Sequence, residues 1–555
     1  MEKNNFGCRA FIFFFLSFIF YYPWLVFANN LAITDGEITA ISTSSDTATI
    51  QFDIAWDNSW RDATNYDAAW VFVKFHKDVS DGTAWSHVTL KTSGTTPAGF
   101  STGSDGDSDG GDTDAIEIVV PTDKTGCFIQ RSSNNTGTLD RDSVQIVWDY
   151  SADSVSDAEI ENVSLKIFGI EMCYIPESSF YLGDTESDYG QFEYETDGTT
   201  FQVTSEGSIT LGGDVAGSLG NNNATGMSTA DDFNDSTSQT LPATFPKGYD
   251  DFYLMKYELS QGQYRDFLNT LTHTQQGTRV AATLDGDEAG DFVMVVEDGT
   301  LTARQTITAA FDPADPDNDP YTFGCDLDDD NIVDEEDDGE WIAMNYMSWM
   351  DGCAYADWAG LRPMTELEFE KACRGPLMPV ADEYAWGTAT IAASAYTLAN
   401  SGEIDEEIDS NYSTVAGNAL YTTTEGSIDG PIRVGAFAGD TSNDGTRMVS
   451  GAGYYGNMEL SGNLYERTVT LGNATGRAFL GTHGDGSLSS DGNATNPDWP
   501  GYSAGEVTGA TGAGFRGGGW GNFAGNAQVS YRSSAAITHA GRSNHYGFRL
   551  VRQGF

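Results

Sequence analysis

The chain has 555 residues and a formal net charge of −56, from 83 Asp and Glu against 27 Lys and Arg. At 39% hydrophobic and 12% aromatic it can bury a core, and at about 150 residues per domain its length fits three or four domains. So negative a chain excludes nucleic acid and an anionic membrane surface as partners, because both need clustered Lys and Arg, and leaves a soluble protein that tolerates salt or binds cations.

In chain order the first feature is a leader. Lys3 and Arg9 precede an apolar stretch from Ala10 to Val26, and Val26-Phe27-Ala28 closes it with a small residue before Asn29. This is the pattern of a cleaved secretory signal peptide over residues 1–28, which implies a secreted, cell-surface or periplasmic protein. No second run of membrane length follows, so no membrane insertion is expected. Beyond Cys8 stand Cys127, Cys173, Cys325, Cys353 and Cys373. An odd number leaves at least one thiol free or bridged to another chain. No CxxC occurs and the six histidines are scattered, which excludes a zinc site of ordinary spacing.

From Asn30 to Phe168 apolar residues alternate with polar ones: Ile50, Phe52, Ile54 and Trp56, then Val144, Ile146 and Trp148, then Val163, Leu165 and Ile167. Ala68–Phe75 reads as a strand buried on both faces. Short strands divided by Gly, Asp and Ser turns predict a β-sandwich module over residues 29–168. Within it, Asp105, Asp107 and Asp109 of the acidic loop Ser101–Asp114 space oxygens suitably for calcium, although a solvated turn is the simpler reading.

A second unit spans residues 169–555. Residues 184–247, rich in Gly, Thr, Asp and Asn without periodicity, predict a surface insertion. Tyr257–Leu271 predicts a helix capped by Ser260, with Tyr264, Phe267 and Leu268 on one face. Trp349–Trp358 predicts another, and Thr365 opens a third with Glu368 completing a capping box. Beyond Gly375 helical signals fade into Gly-rich loops, so the fold class is α+β.

One acidic run has a spacing with chemical meaning. Asp326, Asp328, Asp330, Asp334 and Asp337 stand at positions 1, 3, 5, 9 and 12 of an EF-hand-type loop, with apolar Val333 at position 8, which wraps hard oxygens around one calcium ion. An acidic surface run is the plainer alternative. Gly451-Ala-Gly453-Tyr-Tyr-Gly456 matches GxGxxG, but no helix signal follows, which excludes a dinucleotide site.

Several blocks in the second unit are more specific. They are Glu171-Met-Cys-Tyr-Ile-Pro-Glu-Ser-Ser-Phe-Tyr-Leu-Gly183, Tyr253-Leu-Met-Lys-Tyr-Glu-Leu-Ser-Gln-Gly-Gln-Tyr264, Asn345–Tyr355 with Trp358–Gly375, Tyr384-Ala-Trp-Gly387, Ser461-Gly-Asn-Leu-Tyr-Glu466, Arg516-Gly-Gly-Gly-Trp520 and Gly547-Phe-Arg-Leu550. In this order, across about 385 residues, they resemble the formylglycine-generating-enzyme (sulfatase-modifying factor) family. The resemblance implies that a C-type-lectin-like fold follows the N-terminal sandwich. The family's enzymes bind copper through two closely spaced cysteines and oxidise a substrate cysteine. The matching stretch here, Trp520 to Arg532, has none, and no cysteine follows Cys373. Copper and a catalytic residue are therefore not expected, because Asn, Gly and Ala cannot replace thiolates. The family's calcium positions fall on Glu459, Gly462, Leu464 and Glu466 and, through a looser alignment, on Asn400, Ser401, Asp429 and Pro431; that calcium would be structural.

Residues 511–555 also resemble the variable region of diversity-generating-retroelement target proteins, which use the same lectin-like fold. There, adenine-directed mutagenesis turns Asn codons into a mixed set of residues. Trp520, Asn522, Phe523, Asn526, Tyr531, Ser533, Ser534, Ile537, Thr538, His539, Ser543, Asn544 and His545 would form the ligand face, with Arg516, Arg532 and Arg549 as scaffold. From Arg516 to Arg552 there are five arginines and no acid. The reading is an exported, non-catalytic binding protein with a protein or carbohydrate ligand on a cell or phage surface. The alternatives are a family oxidoreductase with a divergent site, a structural cell-surface component, or an ordinary family C-terminus rich in Asn, Ser and Gly.

Overall fold

The computed structural model describes residues 30–79, 82–106, 114–185, 189–221, 226–284, 289–295, 301–311, 320–439 and 445–554. The leader, residues 1–28, and Asp107 and Asp109 of the acidic turn lie outside them. Strand dominates, at 32% against 10% helix. Among the described residues no helix is long and apolar enough to cross a membrane.

Period-two alternation does what it predicts in the first sheet. Strand β1 (Ala32–Ser42) pairs antiparallel with β2 (Thr47–Arg61), which pairs with Asn135–Asp149, and the short Ser104–Asp105 strand completes the sheet. Ile50, Phe52, Ile54, Trp56, Val144, Ile146 and Trp148 all turn into one core.

Strand β3 (Asp67–His76) is buried along its whole length because it is covered twice. Ala69, Val71, Val73 and Phe75 join the core against the first sheet. Ala68, Trp70 and Phe72 point the other way, into the larger core of the second unit. There the Trp70 indole N–H donates to the Ala359 carbonyl (2.8 Å) and the Phe72 ring meets Trp358 edge-on at 5.0 Å.

The division expected after Phe168 falls inside a strand. Ser164–Ile175 pairs with β3 from Ser164↔His76 to Cys173↔Asp67, and its end pairs with Phe252–Met255. Phe252–Met255 pairs in turn with Leu550–Gln553, so one nine-stranded sheet runs from the N-terminal strands to the end of the chain. Residues 184–247 also differ from expectation. They form strands of three residues, including Phe192–Tyr194, Phe201–Val203, Leu219–Asn221 and Gln239–Leu241, and Phe192, Leu211, Leu219, Phe233 and Phe245 are buried in the main core. Such strands are too short to display an alternation, which is why the sequence reads as loop.

Four helices carry capping boxes: α1 (Gln261–Leu268) at Ser260, α2 (His273–Arg279) at Thr272, α3 (Trp349–Trp358) at Ser348 and α4 (Glu366–Arg374) at Thr365. Helix α4 has a second task. Its Glu366 and Glu370, one turn apart on the same face, receive the Arg516 guanidinium at 3.2 and 2.7 Å. Arg532 bonds Glu366 at 2.8 Å and Asp231 at 3.0 Å, and Arg374 bonds Glu370 at 2.6 Å. All these side chains are buried. Breaking such a set strands a charge in the core. Glu366→Ala should therefore lower the unfolding free energy by about 3–5 kcal/mol in urea titrations; a change below about 1 kcal/mol would show that the pairs do not brace the C-terminal segment.

Candidate functional site

The proposed ligand residues hang between three short strands and are fixed from behind. Ala513–Arg516 pairs with Tyr465–Val469, which also pairs, in parallel, with Tyr546–Gly547. The chain leaves the first strand through Gly517 and Gly518, with φ of 86° and 70°. A Cβ on Gly518 would press on the Asn526 carbonyl carbon at 2.9 Å, so only glycine fits. From 519 to 545 the backbone is irregular apart from a single turn of 3-10 helix, Ala524–Ala527. Its carbonyls are held by side chains beneath. Arg467 donates to the carbonyls of His539 and Gly541 at 2.8 Å each, and Arg542 grips both oxygens of Asp351 at 2.8 Å.

Two of the expected ligand residues belong to this underside. Trp520 is only 7% exposed; its indole N–H donates to the Asn544 carbonyl (2.9 Å) and its ring packs on His545 at 4.6 Å. Ser533 is buried, and its carbonyl accepts from Ser228 N–H at 2.9 Å. Both are corrections to the expected face: the core takes an indole there, and the 184–247 segment covers the serine.

The other expected residues are exposed or half-buried. Phe523 stands 79% exposed, and Thr538 and His539 are also exposed. Asn522, Asn526, Tyr531, Ser534, Ile537, Ser543, Asn544 and His545 are half-buried. The Asn526 amide donates to the hydroxyls of Tyr465 (2.7 Å) and Tyr531 (3.2 Å), and the Tyr531 ring lies 4.7 Å from that of Tyr189. His539 meets Tyr546 at 5.6 Å. Tyr189, Tyr465 and Tyr546 were not in the expected face. Tyr189 arrives from the 184–247 segment, and nothing in its local sequence marks it.

The face is electrically quiet. Arg516, Arg532, Arg549 and Arg552 point inward, and Arg542 is held by Asp351. Burial keeps the His545 imidazole below its usual value, so it is neutral at pH 7, and pushes the Tyr465 hydroxyl up to about 12. The five described cysteines are buried and free, and burial pushes the Cys127 and Cys173 thiols up to about 12. A cavity of about 520 Å³ lies elsewhere, lined by Phe168, Tyr257, Arg265, Glu340 and Trp341 among others and by none of the face residues.

The expected metal positions fare unequally. Glu459 and Glu466 lie close to a third carboxylate, Glu258, which the sequence reading missed. Glu258 accepts from Asn463 Nδ2 (2.5 Å) and Leu464 N–H (3.0 Å) beside the left-handed turn at Gly462. Glu459 Oε1 accepts from Gly435 N–H and Glu466 Oε1 from Arg549, but the Oε2 atom of each is buried without a partner. Burial first, and the neighbouring carboxylates with it, raises Glu258 far above the ordinary carboxylate range and Glu459 to about 7. Arg549 already meets Glu466, and the three carboxylates do not bring one oxygen each within 4.8 Å of one another, so the cluster lacks the convergence seen at Asp326, Asp328 and Asp338. The second set does not gather around an open position. Ser401 Oγ (3.1 Å) and the Pro431 carbonyl (2.8 Å) accept from the guanidinium of Arg304, which also pairs with Glu406, while Asn400 and Asp429 are exposed. A cation of the chain's own already sits among these oxygens. In the acidic loop, Asp326 and Asp328 come together with Asp338 in place of Asp337. Asp334 turns away to Arg265 (2.5 Å), and Asp330 accepts from Ile332 N–H.

Anchor and face residues should separate in urea unfolding. Trp520→Ala should cost about 3–5 kcal/mol, as for a large core ring, and Phe523→Ser should stay within about 0.5 kcal/mol; equal effects would contradict this division.

Comparison with curated proteins gives no match. The family model described as "Sulfatase-modifying factor enzyme 1-like domain" matches residues 200–554, more than half of the chain. The blocks from Tyr253 onward, the buried arginines that brace them and this match lead to one conclusion: the chain belongs to the sulfatase-modifying factor family.

Proposed function

We propose that the protein is exported and non-catalytic, and that it binds a ligand through the face between Gly521 and Tyr546 on a C-type-lectin-like scaffold. The observation that carries the reading is the division of this segment. Its arginines and Trp520 are committed to the interior, while Phe523, Asn526, Tyr531, Thr538 and His539 stand on irregular backbone with no fixed charge among them. Aromatic rings and adaptable amides on a braced frame make a recognition surface, as in antibody loops. Such a surface suits a protein or carbohydrate ligand on a cell or phage. The same residues belong to the set that adenine-directed mutagenesis of Asn codons produces, which supports a retroelement-diversified protein. Calcium at the expected positions Glu459, Gly462, Leu464 and Glu466 is structural in this reading; the orphaned Oε2 atoms of Glu459 and Glu466 support it.

Family membership favours a second reading, an oxidoreductase with a divergent site. The absence of any cysteine beyond Cys373 weighs against it, since copper-dependent cysteine oxidation needs soft thiolate ligands.

Three measurements test the proposal. On arrays of surface glycans and proteins, a ligand bound by the wild type should lose about 2 kcal/mol, roughly thirtyfold, on Phe523→Ser or Tyr531→Ala; unchanged binding by both removes the face from the function. The gene neighbourhood should hold a reverse transcriptase and a near-copy of codons 517–549 that differs only at adenines; a neighbourhood without them sinks the diversification. The pure protein with added copper should consume no oxygen in the presence of a cysteine peptide, and steady consumption would establish the oxidoreductase instead.

A further inference from the structure

We infer that Asp326, Asp328 and Asp338 bind a divalent cation of the calcium type, at a site separate from the Glu459–Glu466 cluster. One carboxylate oxygen of each lies within 4.8 Å of the other two. Acidic side chains commonly meet at a surface, but Asp326 and Asp338 are buried, at 0% and 1% exposure, and only Asp328 faces solvent. The decisive atom is Asp338 Oδ1. Its partner oxygen, Oδ2, accepts from Glu335 N–H at 2.7 Å, whereas Oδ1 is shut off from water without a hydrogen bond of regular geometry, the Leu327 N–H only lying near the carboxylate. A carboxylate oxygen in that position is expensive unless a cation meets it.

No protein cation does so. Among the described residues no ion pair reaches any of the three carboxylates, and Arg265 nearby is committed to Asp334 (2.5 Å) and Asp266 (2.8 Å). Asp326 accepts from Asp330 N–H at 3.2 Å and Asn331 N–H at 3.1 Å, which sets its carboxylate in the turn and leaves lone pairs over. Three hard, anionic oxygens on an irregular loop suit calcium, which takes six to eight oxygens in flexible geometry, better than magnesium, which demands a near-regular octahedron. Water and backbone oxygens would complete the shell.

The ligand set also explains why sequence spacing alone misses it by one residue. Asp334 is drawn off by Arg265 and by the Cys325 N–H (2.9 Å), so it is lost as a ligand. The chain then turns between Glu335 and Asp338 and closes the site with the later carboxylate. Gly339 N–H docks this turn on the Gly402 carbonyl (3.1 Å). Glu335, Glu336 and Glu340 continue from it into the wall of the 520 Å³ cavity, so a bound ion also fixes that wall.

The test uses full-length protein stripped with EDTA and titrated with calcium chloride in a calorimeter. Wild type should show a binding event that Asp338→Asn abolishes. Asp328 is exposed, so Asp328→Asn folds normally and should weaken the same event by roughly tenfold or more through loss of one charged ligand. Asp429→Asn, at an exposed acid outside the site, should leave the event in place, which separates it from a general loss of surface charge. Calcium should raise the melting temperature of wild type more than that of Asp328→Asn. Asp328→Asn and Asp338→Asn proteins that bind calcium with wild-type stoichiometry and affinity would overturn the assignment, as would a wild type that binds none.

Discussion

Glu366 and Glu370, on successive turns of α4, take up the guanidinium groups of Arg516 and Arg532 where no water reaches them. Everything exposed on the C-terminal face depends on this contact. The segment from 519 to 545 has almost no regular hydrogen bonding of its own, so its shape must come from groups behind it. Arg467 holding two carbonyls, Arg542 on Asp351 and Trp520 in the core extend the same device. Buried ion pairs add little net stability, because both partners lose their hydration, but they are very costly to break singly. They are therefore suited to fixing one placement of a loop, which a recognition surface needs more than it needs extra stability.

The same economy accounts for the charge balance. A chain with 83 acids and 27 bases has few cations to distribute, and many of its arginines are spent inside, on carboxylates of α4, α3 and the 184–247 segment. The remaining buried acids cluster without a full complement of bases, at Glu258–Glu459–Glu466 and at Asp326–Asp338, and both clusters leave carboxylate oxygens unpartnered. At Ser401 and Pro431, by contrast, Arg304 supplies the positive charge and no orphan remains there. At Glu466 a guanidinium, that of Arg549, meets one carboxylate oxygen and leaves the other without a donor, whereas at Asp338 no ion pair among the described residues reaches the carboxylate.

Much of the local structure was legible in the sequence, since it depends on near neighbours. Alternation in β2 and at Val144–Trp148, the double burial of β3, the cap at Ser260 and the capping box at Thr365 all follow from side chains within a few positions. The site was legible in part. Phe523 and His539 are exposed and Asn526 meets Tyr531, but Trp520 and Ser533 face inward, and Tyr189 joins Tyr531 from over three hundred residues away. Whether an Asn, Tyr or Trp in a glycine-rich segment faces water or core has no periodic signature when the backbone is irregular.

Residue identity and short spacing were enough for the alternating strands, the starts of α3 and α4, the family blocks and the lack of a C-terminal thiol pair, but not for α1, which begins at Gln261 rather than Tyr257, or for α2. Four features needed the folded chain: the division after Phe168 lies inside a shared strand, the 184–247 segment belongs to the core, the five C-terminal arginines serve as internal struts, and Asp338 rather than Asp337 joins Asp326 and Asp328. The reason is the same in each case. Burial and charge pairing are set by partners distant along the chain, such as Asp231 for Arg532 or Arg265 for Asp334, and one sequence does not say which distant groups will meet.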